Sequence, residues 1–493
     1  MNFYRDASSI LDQLDHHKGT IKGLCLQDKV RDKKKMYAVV CQTLKARPLL
    51  LEILEKAAFW KNEKKCKISR NLLLVLLHDL LFCQRGIQAP DGPIKQTILS
   101  HKARFKAELA KLRLSRGALS NSELIEGSTK DQVPIPRYVR VNTILTTTEA
   151  VIATLSKRGY THVSLSDIDW SDKKARWVSR DAHIDDLLLL PPGTDLHNDS
   201  LVTCGKIILQ DKASCFTAFV LNPPPGSHVI DACAAPGNKT SHLAMLMGNS
   251  GTIWALDLDV RRLNTMKTLT QRAKASIIQP MHGNFLELDI HSPQFENVEY
   301  ILLDPSCSGS GIVNRLDHLV DGPEAGTSEH DKLDRLSSLA EFQIQVIEHA
   351  LKFPNVRRIA YSTCSIHTQE NEDVVATILA THGKEWCLKK ALPSWPRRGV
   401  SSSGLSQEQA ACLVRCDPAH DATNGFFVAL FEKIGHEPTN VKTHQPPLPK
   451  VTAAQPIQTE TKKRPVPPQE TKKPKAKKMA TSKKSKIRRS VTS

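Results

Sequence analysis

Apolar residues in the first quarter of the chain recur at helical spacing. They fall every three or four positions over Ala38–Ala58 and Lys67–Phe82, with basic clusters such as Lys33–Lys35 interspersed. That period is typical of amphipathic helices that bury one face. Val133–Pro136 interrupts the pattern, because proline disfavours helix at its own position and at the one before. We therefore predict a helical N-terminal domain over residues 1–132.

The pattern after this boundary is that of a mixed α and β segment. Arg137–Thr143 alternates between polar and apolar residues as a strand does, and Thr147–Arg158 has helical spacing. Strand-like and helix-like stretches are mixed from there to about Leu190. The resulting prediction is a small α+β module over residues 133–204.

Short apolar runs alternate with helical patterns from about Gly205 to Lys433. Strands are predicted at Lys206–Leu209, His228–Asp231, Thr252–Asp257, Tyr300–Asp304, Arg358–Ser362 and Phe426–Phe431. Helices are predicted at Ala213–Leu221, Lys239–Met247, Arg261–Lys274 and Ala340–Phe353. This alternation predicts an α/β fold, with an open, doubly wound, Rossmann-like sheet over residues 205–433. The polar segment Gly311–Ser338 is predicted to be a long mobile loop.

The end of the chain cannot bury a core and carries most of the net charge. From His436 onward there are 15 Lys and Arg against 3 Glu and no Asp, so about +12 of the formal +18 lies there. We predict a disordered basic tail over residues 434–493. Its clusters indicate either nuclear and nucleolar targeting or a counterion-releasing contact with RNA, with a merely solubilising tail as the alternative. The clusters are Lys462–Arg464, Lys472–Lys478 and Lys483–Arg489.

Charge and cysteine usage exclude several protein classes. A mildly basic body with a strongly basic tail indicates a polyanionic partner, and nucleic acid fits this balance better than a membrane. The 12 cysteines include no Cys-x-x-Cys pair, so neither a zinc site nor any other metal site is expected. No apolar run reaches the roughly 20 residues of a membrane span, and the polar first 20 residues are no signal peptide. An intracellular, soluble protein with reduced thiols is expected.

The segment Val229–Thr240 has the pattern of a ligand-binding strand–loop–helix unit. It reads Val-Ile-Asp-Ala-Cys-Ala-Ala-Pro-Gly-Asn-Lys-Thr, with small residues between a strand and a helix N-terminus. Free backbone N–H groups and the positive helix end suit an anion there. The single Gly237 does not match the dinucleotide fingerprint, so a smaller anion such as the carboxylate of a methionine moiety is expected. Asp257, at the end of the next strand, can accept hydrogen bonds from both hydroxyls of a ribose.

This segment resembles the methionine-binding motif of the NOL/NOP/Sun-domain family of RNA 5-methylcytosine methyltransferases. Within the family the likeness is greatest to the fifth animal branch, which methylates large-subunit ribosomal RNA. Five further stretches resemble motifs of that family in order and spacing, so that the likeness covers roughly residues 135–432. They are Arg137–Asn142, Gln210–Ser214, Asp304–Gly309, Tyr361–Ser365 and Asn424–Ala429.

The resemblance implies S-adenosyl-L-methionine as cofactor. Two departures from the family concern its site: Asn238 stands where relatives have a second glycine, and Asn284 where many have an aspartate near the adenine amino group. Asparagine tolerates positive φ better than most residues, so the turn should be preserved, and the Asn284 amide oxygen can still accept. The implied cofactor-binding residues are Cys233, Ala234, Ala235, Pro236, Gly237, Asn238, Lys239, Thr240, Asp257, Asn284 and Asp304.

Two cysteines follow predicted strands, at the sheet edge where ligands bind. Methylation of cytosine at carbon 5 needs a thiolate that adds to carbon 6, an acid at ring nitrogen 3 and a base for the carbon-5 proton. The resemblance implies that Cys364 is the nucleophile, that Cys307 assists breakdown of the adduct, and that Asp304 contacts the base. Asp304-Pro305-Ser-Cys307 differs from the family's Asp-Ala-Pro-Cys, because the proline is displaced by one position. A buried structural cysteine is the alternative for each thiol.

Other charged residues keep two interpretations. Lys212 is either a surface lysine or a substrate contact, and Arg262 lies either near the cofactor or on a solvated helix face. The residues Arg137, Arg140 and Asn142 are expected either to hold RNA phosphates or to flank the target base, or to be structural. His78 and His183 are expected to be structural rather than ligands.

Together these observations predict an enzyme that methylates carbon 5 of a cytosine in RNA through a covalent Cys–C6 adduct. The expected substrate is large-subunit rRNA or a pre-ribosome, the expected location is the nucleus and nucleolus, and a monomer is expected. A catalytically inactive RNA-binding assembly factor is one alternative, disfavoured because the motif residues for chemistry are present. A DNA methyltransferase is another, disfavoured by the displaced Pro305 and by the Thr-Cys364-Ser setting.

Overall fold

The computed structural model describes residues 1–435 apart from short gaps at 17, 64–66, 119, 127–134, 171, 173–174, 314–328 and 402–403. The predictions for the tail 436–493 and for residues 314–328 concern positions outside the described residues. Among the helices that the structure describes, none has the length and apolarity to cross a membrane.

The N-terminal part is helical, as the apolar spacing predicts. Ser69 caps one of its helices by accepting from the Leu72 N–H, and ten of that helix's thirteen residues are buried. His78, Asp79 and Cys83 approach one another within 4.8 Å there, around a buried Asp79 that also accepts from the Tyr4 hydroxyl at 2.7 Å. This is the arrangement of a hydrogen-bonded buried carboxylate. The helices are α1 (Asn2–Asp15), α2 (Ile21–Cys25), α3 (Lys33–Lys56), α4 (Phe59–Asn62), α5 (Arg70–Phe82), α6 (Pro93–Ser100), α7 (Lys102–Ser115) and α8 (Asn121–Glu126).

A five-stranded sheet follows, in the order β2-β3-β4-β1-β5. Strand β1 pairs antiparallel with β4 on one side and with β5 on the other. The strand predicted to open the larger sheet is therefore in this one, because Ile207–Leu209 pairs with Val139–Val141. The elements are β1 (Arg137–Val141), α9 (Thr148–Lys157), β2 (Thr161–His162), β3 (Trp177–Arg180), β4 (Leu187–Leu190), α10 (Ser200–Thr203) and β5 (Ile207–Leu209).

The part of the chain from β6 onward is built on an eight-stranded sheet, which confirms the predicted doubly wound α/β fold. Seven strands follow the order β11-β13-β10-β9-β6-β7-β8, and β12 pairs with β13. Strands β8, β7, β6, β9 and β10 are parallel, whereas β13 is antiparallel to its neighbours. The strands are β6 (His228–Asp231), β7 (Thr252–Asp257), β8 (Ile278–His282), β9 (Val298–Leu303), β10 (Arg358–Thr363), β11 (Trp386–Lys389), β12 (Val414–Cys416) and β13 (Phe426–Lys433).

Two apolar clusters accompany this sheet. One includes Val229 and Ile253 together with helix residues such as Phe216, and the other includes Ile230 and Ile301. Successive residues of β6 therefore belong to different cores, as expected for a strand covered on both faces. The helices are α11 (Lys212–Leu221), α12 (Asn238–Leu246), α13 (Val260–Arg272), α14 (Glu329–Leu351), α15 (Glu372–His382) and α16 (Gln407–Ala410).

The prediction of a loop over Gly311–Ser338 is wrong from Glu329 onward. Helix α14 already begins at Glu329, about ten residues before the predicted helix start. The polar composition of this first stretch is that of a solvated helix surface: the side chains of Leu333–Arg335 are exposed.

Candidate active site

The candidate site lies where the order of the strands reverses. From β6 the chain continues to β7 and β8 on one side of the sheet, whereas β9 and β10 lie on the other side. Ligands of such sheets bind in the crevice at the carboxyl ends of the strands beside this reversal. The loops after β6, β9 and β10 carry the predicted cofactor loop, Cys307 and Cys364, and so converge at this edge.

The structure places the sulfurs of Cys307 and Cys364 in contact. The two Sγ atoms are 3.1 Å apart, and both side chains are partly buried. The pairing follows from the sheet, because β9 and β10 are adjacent parallel strands and each cysteine follows the end of one. The Gly311 N–H also donates to the Cys364 carbonyl at 2.9 Å, which joins the two loops through their backbones.

The contact between the two sulfurs determines where the proton resides. The hydrogen bond to Cys364, burial, and the Coulombic effects of Cys364 and Asp304 all raise the pKa of the Cys307 thiol. Cys307 therefore keeps its proton at neutral pH and can donate it to the Cys364 sulfur. Since two thiolates at this separation repel each other, the pair does not lose both protons together.

Asp304 joins the cysteine side of the site to the cofactor loop. Its Oδ2 is 2.8 Å from the Lys239 ammonium, and its Oδ1 accepts from the Ser362 hydroxyl at 2.7 Å. Lys239 also donates to Ser214 Oγ at 3.1 Å. Burial alone would lower the pKa of Lys239, but the Asp304 carboxylate more than offsets this and raises it. Lys239 is thus a firmly charged ammonium beside the cysteines.

The cofactor loop has the close backbone approach that its small residues predict. Gly237 adopts φ 99°, and a Cβ there would lie 2.7 Å from the Met266 side chain, so only glycine fits. Asn238 is the first residue of α12 and does not have positive φ, so the expectation that it must tolerate such a turn is wrong. Gly237 alone makes the left-handed turn.

Asp231 lies beneath this loop and was not assigned a role from the sequence. Its Oδ2 accepts from the Thr240 hydroxyl at 2.7 Å, and its Oδ1 has no hydrogen-bond partner within the described part of the chain. Burial raises the pKa of Asp231 to about 7. The neighbouring Cys233 thiol also has its pKa raised, to about 12, by burial and then by the surrounding carboxylates, so it is an unreactive thiol at neutral pH.

Asp257 connects the end of β7 to the same loop. Its Oδ2 accepts from the Ala235 N–H at 3.1 Å and its Oδ1 from the Asp259 N–H at 2.9 Å, while its side chain is 3% exposed. Each oxygen keeps a second lone pair for a ligand. Arg262 lies 3.6 Å from Asp257 Oδ2 and also donates to the Ala235 carbonyl. Arg262 therefore borders the loop rather than only a solvated helix face.

Asn284, at the end of β8, begins a 3₁₀ turn. Its Oδ1 accepts from the Leu286 N–H at 3.1 Å, and its Nδ2 donates to Glu287 at 3.2 Å. The amide oxygen keeps one lone pair for an external donor. Its position at the same sheet edge as Asp257 is compatible with the expected adenine contact.

Arg140 and Asn142 do not face RNA, which corrects one of the two interpretations made from the sequence. Arg140 is 0% exposed and donates to Gln210, Ser241 and the Asn238 carbonyl. Asn142 is 1% exposed and donates to two backbone carbonyls, of Gly205 and Ala273. Both side chains hold the five-stranded sheet against the catalytic part.

Arg137 is the exposed member of this strand. It donates through Nε to the Thr194 carbonyl at 3.2 Å, and its side chain remains accessible to solvent. Of the three residues expected on the RNA side, only Arg137 is available to a phosphate.

Lys212 is also not a surface residue. It is 6% exposed, pairs with Asp181 at 2.6 Å and lies 3.0 Å from His183 Nδ1 and 5.3 Å from the Trp395 ring. A lysine that carries such an ion pair in the interior has a structural role. His78 Nδ1 likewise lies 3.2 Å from the buried carboxylate of Asp79. The structural interpretation of both histidines stays a prediction.

The chain is similar to known proteins in both sequence and structure. A family model described as 16S rRNA methyltransferase RsmB/F matches residues 218–432. Two models of NOL1/NOP2/Sun domain family member 5 match as well, the ferredoxin-like domain at 135–210 and the N-terminal domain at 34–125. A crystal structure of the protein PH0851, 21% identical, superposes with a TM-score of 0.57 over 87% of this chain and 99% of that one.

Two relatives match over most of their length. The 25S rRNA (cytosine-C(5))-methyltransferase rcm1 of Schizosaccharomyces pombe is 41% identical over 433 residues, 87% of this chain and 91% of that protein. A 28S rRNA (cytosine-C(5))-methyltransferase of Mus musculus is 40% identical over 89% of this chain and 92% of its own. The sheet order and these matches define the class of protein, an α/β methyltransferase. The chain belongs to the NOL1/NOP2/Sun domain family and, within it, to the group of member 5.

Proposed function

We propose that this protein transfers a methyl group from S-adenosyl-L-methionine to carbon 5 of a cytosine in large-subunit ribosomal RNA. The observation that carries the proposal is the contact between the Cys307 and Cys364 sulfurs, 3.1 Å apart at the ends of adjacent parallel strands. The relatives that share about 40% of the sequence are named for the same reaction on 25S and 28S rRNA.

The residues around the β6–α12 loop fit the cofactor. Gly237 leaves room for close approach to the N-terminus of α12, where unpaired N–H groups suit a carboxylate. Asp257 would accept from the ribose hydroxyls, and Asn284 lies at the same edge. When bound, S-adenosyl-L-methionine supplies a methyl group on a sulfonium. The other proposed cofactor residues belong to the loop from Cys233 to Thr240, except Asp304, which pairs with Lys239.

Covalent attack requires the thiolate form of Cys364. Its sulfur forms a bond to carbon 6 of the cytosine, and the electrons of the ring double bond move so that carbon 5 becomes nucleophilic and takes the methyl group. Cys307, which keeps its proton in the free enzyme, stabilises the Cys364 thiolate before attack by donating to it. Asp304 and Lys239, 2.8 Å from each other beside the cysteines, are placed to hydrogen-bond the polar edge of the base.

Breakdown of the adduct requires a base at carbon 5. Once Cys364 is bonded to the base it carries no charge, so the largest cause of the raised pKa of Cys307, its hydrogen bond to that sulfur, disappears. The pKa of Cys307 then falls. Cys307 loses its proton to solvent, and the resulting thiolate accepts the carbon-5 proton. Loss of that proton restores the ring double bond and expels Cys364 as a thiolate. At the end of the cycle Cys307 is again a thiol and Cys364 again a thiolate.

Bisulfite sequencing of large-subunit rRNA tests this function. In cells that lack the protein, a defined cytosine that normally resists bisulfite should be converted. Expression of the wild-type protein should restore its resistance. Expression of Cys364→Ala should not restore it. If the Cys364→Ala protein restored the mark, or if removal of the protein changed no cytosine, the chain would act on its RNA without this chemistry, as an assembly factor does.

The basic tail is proposed to supply nucleolar location and non-specific RNA affinity rather than chemistry. Truncation after Gly435 removes about +12 of charge, so RNA affinity should depend less steeply on salt, by roughly 0.7–0.9 in logarithmic slope for each lost phosphate contact. Single-turnover methylation of bound RNA should be unchanged, because the last strand ends at Lys433. Filter binding across a salt series and imaging of the truncated protein check both effects. An unchanged slope and an unchanged nucleolar signal would assign the tail to solubility alone.

A further inference from the structure

Two consecutive buried residues, Glu370 and Asn371, contact the loops of both cysteines. Glu370 Oε1 accepts from the N–H of Ser308, the residue after Cys307, at 2.8 Å. Asn371 Oδ1 accepts from the Thr363 hydroxyl at 2.5 Å, and its Nδ2 donates to the Ser365 carbonyl at 3.0 Å. Thr363 and Ser365 are the two neighbours of Cys364 in the chain. One dipeptide therefore holds both loops.

The other side of the Cys307 loop is tied to the same carboxylate. Gln343 donates through Nε2 to Glu370 Oε1 and to the Ser306 carbonyl, each at 3.1 Å. Tyr361 donates to Gln343 Oε1 at 3.0 Å and to the Glu370 carbonyl at 2.6 Å. Glu370, Asn371, Gln343 and Tyr361 are all fully buried. Such a network leaves few alternative positions for the backbone on either side of Cys307.

Glu370 is a poor choice for stability alone. Its Oε2 is buried and has no hydrogen-bond partner among the described residues. An unsatisfied buried polar atom is destabilising, which offsets much of what the two bonds to Oε1 contribute. Arg415, the basic residue that pairs with the neighbouring Glu372, does not neutralise Glu370 in the same way. What the side chain provides is an acceptor at a defined place under the Cys307 loop.

We propose that Glu370 and Asn371 are positioning residues that set the separation of the Cys307 and Cys364 sulfurs. Glu370 fixes the Cys307 loop, and Asn371 fixes both flanks of Cys364. The inference rests on the proposed function, because it assigns the dipeptide an effect on the step that needs both thiols at once. Misplacement of reacting groups by about 1 Å can cost about 100-fold in rate. Breakdown of the adduct should therefore be more sensitive to this dipeptide than cofactor binding is.

Substitutions at Glu370 separate this role from a structural one. Glu370→Met keeps the length but removes the acceptor, and adduct release should slow at least about tenfold relative to methyl transfer. Glu370→Gln keeps an oxygen that can accept from the Ser308 N–H, and the ratio of the two rates should stay within about threefold of wild type. Single-turnover methyl transfer and the fraction of RNA–protein adduct that survives denaturation give the two rates.

Asn371→Ala should act on the other cysteine. It frees both flanks of Cys364, so methyl transfer itself should slow by about tenfold or more, with less adduct rather than more. The opposite adduct levels of Glu370→Met and Asn371→Ala distinguish loss of position at each thiol from general destabilisation, which would change both in one direction.

A probe of sulfur spacing needs no RNA. Diamide oxidises two neighbouring thiols to a disulfide while its nitrogen–nitrogen double bond takes up the two protons and two electrons. Formation of the Cys307–Cys364 disulfide, followed by peptide mass spectrometry, should slow at least about tenfold in Glu370→Met and little in Glu370→Gln. Because this measurement is independent of catalysis, it reports on the dipeptide even if the proposed reaction were incorrect.

Glu372→Gln is the matched control. Glu372 is equally buried, but its carboxylate contacts Arg415 and the Val400 N–H rather than the residues next to either cysteine. It should lower the unfolding temperature without changing the disulfide rate or the ratio of release to transfer. Equal effects of Glu370→Met and Glu372→Gln on that ratio, or a normal disulfide rate in folded Glu370→Met, would overturn the inference. Absence of methylation by the wild-type protein would instead overturn the proposed function.

Discussion

Replacing Cys307 with alanine is expected to trap the protein on its RNA as an adduct that survives denaturation. The Cys364 sulfur can still bond to carbon 6 and methyl transfer can still follow, but the acceptor of the carbon-5 proton is missing. Loss of a general base typically costs about 10²–10⁴-fold, so release should slow by that factor. Denaturing gels of labelled rRNA fragment, protein and S-adenosyl-L-methionine should show a slow-migrating band that Cys307→Ala accumulates and the wild-type protein does not.

Cys364→Ala should abolish methylation and, in the same chain as Cys307→Ala, should also abolish the trapped band. Its affinity for the cofactor should stay within about threefold of wild type, because a thiol without contact to the ligand contributes little to its binding. Cys387→Ala, at an exposed cysteine on the edge strand β11, is the control that should behave as wild type. Normal methylation by Cys364→Ala would show that the nucleophile is another residue. A Cys307→Ala protein that turns over normally would make Cys307 structural.

The sequence could predict that the candidate site residues lie close together, because their proximity depends on the order of strands and helices. Alternating strands and helices place the ends of parallel strands at one edge, so residues that directly follow such strands must lie near each other. Asp304 and Cys364 immediately follow β9 and β10, and adjacent pairing of these strands brings the two cysteines together. The family and the fold predicted from these residues are confirmed.

Side-chain burial could not be predicted in the same way, because it depends on what packs against each residue. Arg140 and Asn142 were expected on an accessible strand, but the sheet that contains them lies against α12 and the end of α13, which bury both. Lys212 was interpreted as either a surface lysine or a substrate contact, yet it is buried and pairs with Asp181, the residue after β3. Contacts between two domains combine residues that are distant in sequence, and a single sequence carries no periodic signal for them.

Two local features were not predicted, because their residues have a composition that is unusual for a strand or for a buried segment. Strand β8 was not predicted because Pro280 interrupts its apolar pattern. The proline is tolerated there because β8 is an edge strand. Glu370 and Asn371 follow Cys364 in a polar stretch that has the composition of a loop, although both are buried. The signal that could have found them is the presence of a polar stretch between a buried strand and a buried helix, where each polar group needs a partner.

Asp257→Ala is expected to weaken cofactor binding strongly. The carboxylate lies at the end of β7 with one lone pair of each oxygen turned to backbone donors and one left for a ligand. Two hydrogen bonds from ribose hydroxyls to a charged acceptor are worth roughly 2–4 kcal/mol, so the dissociation constant should rise by about 30- to 1,000-fold. Equilibrium binding of S-adenosyl-L-homocysteine by calorimetry measures this without any turnover.

The substitution also removes the acceptor of the Ala235 N–H, so the cofactor loop itself can loosen. Asp259→Ala provides the comparison, because Asp259 accepts from the Arg261 and Arg262 N–H groups at the start of α13 and not from the loop. Both variants should lower the unfolding temperature, since each loses a hydrogen-bonded turn or cap. Only Asp257→Ala should lose cofactor affinity beyond about threefold, and a smaller loss would exclude the proposed ribose contact. Comparable losses in both variants would assign the effect to the α13 N-terminus, which follows β7 directly, instead of to the carboxylate of Asp257.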